Sequence, residues 1–224
     1  MPREDDVADM KMHSYARVLA GSVGLLSIIL AGCSPEEMEI ALPVKAVADV
    51  TAGRVSQADI TMSFNNEQDS VKDKLSKIRE VVKPYLGKTG KLTMRGDKIS
   101  ANFKVPFVTK ENADSCADKT VAKLVLDNGR IQLVETDCLK ALNRDLAAID
   151  FSIDVDLKAN HLVYKVVGDE STNCTVRATA VFVDGEPHIN FAKRLAADDS
   201  VDIEFRCDTD ASVWHQIKPY IEIR

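Results

Sequence analysis

Residues 176–191, VRATAVFVDGEPHINF, contain the pattern that decides the fold. Two strand-like segments, Val176 to Val183 and His188 to Phe191, flank Asp184-Gly185, a dipeptide typical of two-residue hairpin turns. Strands joined by so short a turn run antiparallel. The stretch therefore predicts a β-hairpin near the carboxyl terminus.

Apolar and polar residues alternate through much of the remaining chain, as in half-buried strands. The clearest run is Ile149 to Leu157, which would place five apolar side chains on one face. A second hairpin is predicted at Asp127-Asn128-Gly129, followed by a strand that includes Ile131 and Leu133. Further strands are predicted at Ile60–Phe64, Ala101–Val105, Leu162–Val167, Val201–Arg206 and Tyr220–Arg224.

Two segments have helical spacing instead of alternation. Apolar residues recur every three or four positions over 70–86, so an amphipathic helix is predicted there, and Pro84 is expected to end its regular part early. A shorter helix is predicted from Asp137 to Ala148. The expected fold class is therefore α+β, a mostly antiparallel β-sheet with one long and one short amphipathic helix.

The composition is that of a globular protein and excludes several classes. The chain has 224 residues, of which 45% are hydrophobic and 29% charged, which argues against a disordered chain, a collagen or a coiled coil. The formal net charge is −6. Because no long Lys/Arg run is present either, the electrostatic basis for nucleic-acid binding is missing, and no nucleic-acid partner is expected.

An uncharged apolar segment near the amino terminus predicts export. Val18 to Leu30 follows the basic residues Lys11 and Arg17 and ends at Ala31-Gly32-Cys33. A helix of that length would span about 20 Å, less than the hydrocarbon core of about 30 Å. This order of charges, apolar residues and small residues is typical of a cleaved signal peptide.

The end of this segment, Leu30-Ala31-Gly32-Cys33, resembles the bacterial lipobox. The resemblance implies cleavage between Gly32 and Cys33 and acylation of Cys33, so that acyl chains hold the mature protein on a membrane. In enteric lipoproteins, Ser at the second mature position, here Ser34, favours the outer membrane. The resemblance thus implies an anchored protein of the outer membrane.

The chain is accordingly divided into three parts. Residues 1–32 are expected to be the signal peptide, 33–53 a lipidated tether and first strand, and 54–224 a single globular α+β domain. The stretch Met1 to Asp9 carries four acidic residues, the wrong sign for the start of a signal peptide. We therefore expect translation to start at Met10 or Met12.

Four cysteines follow Cys33, an even number in a chain predicted to reach an oxidising compartment, so two disulfides are expected. Cys116 and Cys138 flank the hairpin at Asp127-Asn128-Gly129, which favours that pair and leaves Cys174 with Cys207, although three pairings are formally open. No CxxC spacing is present. A structural metal site is therefore not expected.

The sequence predicts no catalytic residue, cofactor or metal. Hydrolase elbows, P-loops, dinucleotide fingerprints and HExxH helices are absent. The aspartates around Asp150, Asp154 and Asp156 raise the possibility of a calcium site, but no glycine or glutamate follows at the offsets of a calcium loop. A solvated strand face is the favoured interpretation of these carboxylates.

Three functions remain open. The leading one is a non-enzymatic binding module on the envelope membrane with another envelope protein as partner. The second is a carrier of an apolar or lipid ligand, which predicts a void beneath the long helix. The third is an envelope hydrolase. The void would be lined by Val71, Leu75, Ile78 and Val82, and the hydrolase would need His161, His188 or His215 beside a carboxylate and a nucleophile.

Overall fold

The computed structural model describes residues 35–65, 70–87, 89–115, 120–151, 155–169, 173–206 and 220–224. These residues form three α-helices and eleven β-strands, and all the strands belong to one sheet. The strands are β1 (Glu37–Pro43), β2 (Ser56–Asn65), β3 (Lys91–Arg95), β4 (Lys98–Thr109), β5 (Ala122–Asp127), β6 (Arg130–Glu135), β7 (His161–Val167), β8 (Cys174–Val183), β9 (Glu186–Leu195), β10 (Ser200–Arg206) and β11 (Tyr220–Ile223). The helices are α1 (Val44–Thr51), α2 (Ser70–Val82) and α3 (Asp137–Ala147), with 3₁₀ turns at Lys83–Tyr85 and Lys110–Ser115.

The sheet closes on itself. Its neighbours follow the order β10, β7, β1, β2, β4, β5, β6, β11 and β8, and β8 pairs back to β10 through Phe182 and Glu204. Nine strands thus form a closed β-barrel, to which β3 is added beside β4 and β9 beside β8. The expected α+β fold on a mostly antiparallel sheet is therefore wrong. Alternation predicts that a strand has one buried face, but it does not specify which strands pair.

The barrel interior is filled by every second side chain of its strands. Ile40 faces Ile60 on β2 and Tyr164 on β7, and all three are buried because residues opposite each other in a ladder share a face. Burial strongly raises the pKa of the Tyr164 hydroxyl. The next row, which includes Glu39 and Asn102, points outward. The interior is therefore an apolar core.

Helix α1 covers the end of the barrel at which β1 finishes. Its buried residues are Val44, Ala46, Val47 and Val50, and it contacts β1, β2, β4 and β5. Pro43 forms the N-cap in an extended conformation. The sequence pattern did not predict this helix, because a short run of small apolar residues fits a buried strand as well as a helix.

Helices α2 and α3 confirm the two predicted amphipathic segments. The regular part of α2 ends at Val82, and Pro84 lies in the 3₁₀ turn that follows, as expected from its position. The Tyr85 hydroxyl of this turn donates a hydrogen bond to Asp145 on α3. The two helices are thereby held against each other.

The clearest predicted strand, Ile149–Leu157, is wrong in its described part. Ile149 and Asp150 lie in the turn after α3, and residues 152–154 are outside the described residues. Val155 forms only an isolated bridge. The Asn143 amide donates to the Val155 carbonyl at 3.0 Å and accepts from its N–H at 2.9 Å. One side chain therefore satisfies the backbone groups that a neighbouring strand would bind.

The expected pair of disulfides is also wrong in the structure. Cys138 on α3 and Cys174 on β8 both carry free thiols, whereas Cys116 and Cys207 are outside the described residues. The arms of the β5–β6 hairpin are joined instead by the Thr136 N–H, which donates to the Val121 carbonyl at 3.1 Å. Burial raises the pKa of the Cys174 thiol, so this thiol is held in its protonated, less reactive form.

Candidate functional site

The barrel begins at the first described residue. The Pro35 carbonyl accepts a hydrogen bond from the Asn160 N–H at 3.1 Å, and the Glu36 N–H donates to the Ser63 carbonyl at 2.9 Å. The His161 N–H in turn donates to the Glu36 carbonyl at 3.0 Å. The chain is therefore bonded on both sides before β1 starts, and Ser34 alone separates these bonds from Cys33.

We call the barrel end formed by Pro35–Glu37, Asn160–His161 and Glu204–Arg206 the N-terminal rim. Its outer surface carries a row of charged side chains, because Glu37 faces His161 on β7 and His161 faces Arg206 on β10. Lys98 on β4 lies 3.4 Å from the Glu37 carboxylate. The rim thus presents both signs of charge side by side.

Glu204, two residues before Arg206 on β10, binds two members of this charged row. Its Oε2 accepts hydrogen bonds from Arg206 Nη2 at 2.5 Å and Nε at 3.1 Å, and it lies 3.1 Å from His161 Nε2. Burial of Glu204 acts to raise the pKa of its carboxyl, but the hydrogen bonds from Arg206 and His161 outweigh burial and hold that pKa below its ordinary value. Glu204 is therefore ionised at neutral pH.

The same cluster joins the two ends of the sheet. The Arg206 guanidinium lies 4.6 Å from the centre of the Phe182 ring, in cation–π contact, and Phe182 is the residue of β8 that pairs with Glu204. We call the contact of β10 with β8, with Phe182, Glu204 and Arg206 at its centre, the seam. Side-chain contacts there supplement a single backbone pair.

The histidines considered for a hydrolase do not converge on one site in the described structure. His161 contacts Glu204, but among the described residues no hydroxyl or thiol is hydrogen-bonded to its ring. His188 on β9 packs edge-on against Phe191, with ring centres 5.4 Å apart. His215 is outside the described residues, as are Gly32 and Cys33.

Two of the described aspartates, Asp156 and Asp199, stabilise the local backbone. Asp156 accepts a hydrogen bond from the Lys158 N–H at 2.8 Å, and Asp199 accepts one from the Ala196 N–H at 3.0 Å. Asp154 lies outside the described residues, as do Asp208 and Asp210. Within the described ranges, no three His, Cys, Asp or Glu side chains come together as metal ligands would.

The structure shows a surface cleft of about 550 Å³ between α3 and residues 155–158. Its walls carry both apolar side chains, such as Leu139, and charged ones, such as Arg144 and Lys158. The carrier hypothesis placed a void elsewhere, beneath α2. There Ile78 and Val82 are buried in the hydrophobic core. The cleft thus does not correspond to the predicted apolar void.

No known protein family matches the sequence, and no curated protein matches it either. Among the described residues, no helix combines the length and the apolar character that crossing a membrane requires.

Sequence reasoning singled out His161 but missed its partners. Glu204 and Arg206 alternate with apolar residues along β10, as polar residues do on the outer face of any strand. The signal that was available is local: Glu204 and Arg206 are two positions apart, so their side chains share a face. The pairing of His161 with Arg206 depends on the register of β7 with β10, which the sequence pattern does not specify.

Proposed function

We propose that the chain is a membrane-anchored bacterial envelope lipoprotein whose barrel is a non-enzymatic binding module. The observation that carries the proposal is the position of Pro35, which is bonded into the barrel only two residues after the lipobox cysteine. A lipobox followed at once by a folded domain fits a protein that works at the membrane surface.

The short connection limits where the barrel lies. Two residues reach at most about 7 Å, so acyl chains on Cys33 would hold the N-terminal rim close to the lipid headgroups. The mixed charges of the rim, Glu37 with Lys98 and Glu204 with Arg206, suit such a polar boundary. Confinement to this thin layer raises the local concentration of the barrel, so that even a weak affinity for an envelope partner suffices.

The filled barrel favours a surface-binding role over a carrier role. Phe107, Met38 and Ile40 are completely buried inside the barrel, where a carrier would hold its ligand. The partner would therefore be a macromolecule that contacts the outer surface. We propose the outer membrane as the location, because Ser34 follows Cys33 and Ser at that position favours the outer membrane in enteric lipoproteins.

The proposal is tested by the intact mass of the protein from the membrane fraction of cells that express the full chain. We expect the mass of residues 33–224 plus acyl chains, and we expect Cys33→Ala to abolish that product. Cys138→Ala is the matched control, because it removes a free thiol of the folded domain and leaves the lipobox intact. An unmodified product that retains residues 1–32 in the wild-type chain would contradict the proposal.

A further inference from the structure

Strand β9 has an edge that no described strand covers. It pairs with β8 along its whole length, from Glu186 opposite Val183 to Leu195 opposite Cys174, and among the described residues it has no second neighbour. With ten residues it is also longer than the typical strand of about five or six. Such an edge exposes a row of backbone N–H and C=O groups that can pair with another strand.

The side chains of β9 are unusually exposed and partly apolar. Ile189, at the middle of the strand, is 55% exposed, and Asn190 and Ala192 are exposed beside it. Charges of opposite sign lie at the two ends, Glu186 at the start and Arg194 near the end. An antiparallel partner of β9 would therefore complement it best if its own charges ran in the reverse order.

A second copy of β9 meets this requirement in one register. A two-fold axis at Asn190 places Asn190 opposite its own copy, Ile189 opposite Phe191, and Glu186 opposite Arg194 at both ends. An axis at Ile189 would instead pair Glu186 with Ala192, and an axis at Phe191 would bring His188 opposite Arg194. The register centred on Asn190 is thus the one of these three that pairs opposite charges.

Arg194 remains able to bind across this interface. Its Nε donates to Asn173 Oδ1 at 2.8 Å within the same chain. A guanidinium has five N–H donors, so four are left for a carboxylate. Glu186 is exposed at the other end of the strand.

The geometry points to a homodimer in which two β9 strands pair antiparallel about Asn190 and join two barrels through a continuous sheet. The occupant of the edge is a second copy of this chain. The interface is formed by β9 and its charges and does not involve the membrane anchor.

Cysteine cross-linking of the full chain tests the register. Facing Cα atoms in an antiparallel pair are about 4.5–5.5 Å apart, within the range of a disulfide, so Asn190→Cys should form a covalent dimer under mild oxidation. Ala192→Cys is the matched control, since its copy would lie more than about 10 Å away. Asn190→Ser reports the background from the native cysteines. Equal cross-linking of Asn190→Cys and Ala192→Cys, in variants that melt like the wild type, would overturn the inference.

A charge swap tests the recognition. Glu186→Arg brings two like charges together at each end of the interface, and we expect it to weaken dimerisation about tenfold in sedimentation experiments. Adding Arg194→Glu in the same chain restores opposite charges across the axis and should restore the dimer. A wild-type chain that sediments as a monomer up to the highest soluble concentration, or a double variant no better than the single one, would contradict a paired β9 edge.

Discussion

The β2–β4 wall and the seam between β8 and β10 hold the same barrel together by different means. In the wall, β2 and β4 pair residue by residue from Ser56 opposite Phe107 to Asn65 opposite Lys98. At the seam one pair, Phe182 with Glu204, joins the strands, and Arg206 contacts both of these side chains. The wall depends on backbone hydrogen bonds and buried side chains, whereas the seam depends on a few polar and aromatic contacts.

Strand β8 changes its barrel neighbour from β11 to β10 close to the seam. Seven of the nine neighbouring pairs in the barrel are antiparallel, and an odd number cannot close a ring of straight strands. Within β8, Ala180 has a φ of 55°. Up to Thr179 the strand pairs with β11, and from Phe182 it pairs with β10. The buried positions change at the same point, from Val176 and Ala178 to Val181 and Val183.

The largest effect is expected in the wall. Phe107→Ala removes a completely buried ring that lies opposite Ser56 and Leu124, and we expect the free energy of unfolding to fall by about 3–5 kcal/mol. Urea denaturation followed by circular dichroism measures it. Lys104→Ala, on the exposed outer face of the same strand, should change stability by less than about 0.5 kcal/mol. If both variants lost a similar amount of free energy of unfolding, the buried side chains of the β2–β4 wall would not be a main source of stability.

The local turns of the barrel could be predicted from the sequence, whereas the pairing of distant strands in the wall and at the seam could not. Both hairpin turns were predicted correctly, because Asn128-Gly129 and Asp184-Gly185 have the positive φ values that their residue types favour. Pairing between distant strands was not predicted, because alternation determines only which face is buried. The positive φ of Ala180 was not predicted either, because alanine is not a residue type that favours it.

At the candidate site, too, single strands could be predicted from the sequence but their pairing could not. The resemblance to the lipobox is visible in the sequence and stays a prediction. Two strands of the N-terminal rim, β7 and β10, were predicted to within one residue. The assembly of the rim was not predicted. Pro35, His161 and Arg206 come together because β1 pairs parallel with β7 and β7 pairs antiparallel with β10, and the sequence pattern specifies neither pairing.

The second-largest loss of stability is expected at Gly168, which follows the end of β7 and lies close to the start of β10. A Cβ added at Gly168 would lie 2.5 Å from the Ala196 carbonyl oxygen and 3.3 Å from that of Asp199, which also accepts the Gly168 N–H at 2.8 Å. Gly168→Ala should therefore cost about 2–4 kcal/mol through overpacking and a lost hydrogen bond. Hydrogen exchange should show faster opening of β10 than of β2.

Gly53→Ala separates crowding from backbone strain in this prediction. Gly53 has a φ of 77° but no atom within 4 Å of the added Cβ, so only strain, about 1 kcal/mol, is expected. If the two variants lose equal stability, the contact of Gly168 with Ala196 is not what holds β10 in place.

A smaller effect is expected from acid at the seam. The pKa of Glu204 is lower in the folded protein than in the unfolded chain, where it is about 4.3. Its contribution is therefore complete above the unfolded value and is lost as pH falls through the lower folded value. Glu204→Gln should cost about 1 kcal/mol at pH 7, and the difference from the wild type should vanish in acid. Glu39→Gln, in the same row of the outer face, is the control; a Glu204→Gln difference that does not shrink at all as the pH is lowered into the acid range would contradict the ionic seam.

The smallest effect is a gain of stability at the turn in β8. Ala180 has a φ of 55°, which costs a non-glycine residue about 1–2 kcal/mol, whereas glycine loses about 0.5–1 kcal/mol through the entropy of the unfolded chain. Ala180→Gly should therefore stabilise the protein by about 0.5 kcal/mol. Ala178→Gly, two residues earlier in the same strand and buried, should destabilise it by about 1 kcal/mol. Parallel urea denaturation curves compare the two, and an equal loss in both variants would mean that the strain relieved at Ala180 does not outweigh the entropy that glycine costs.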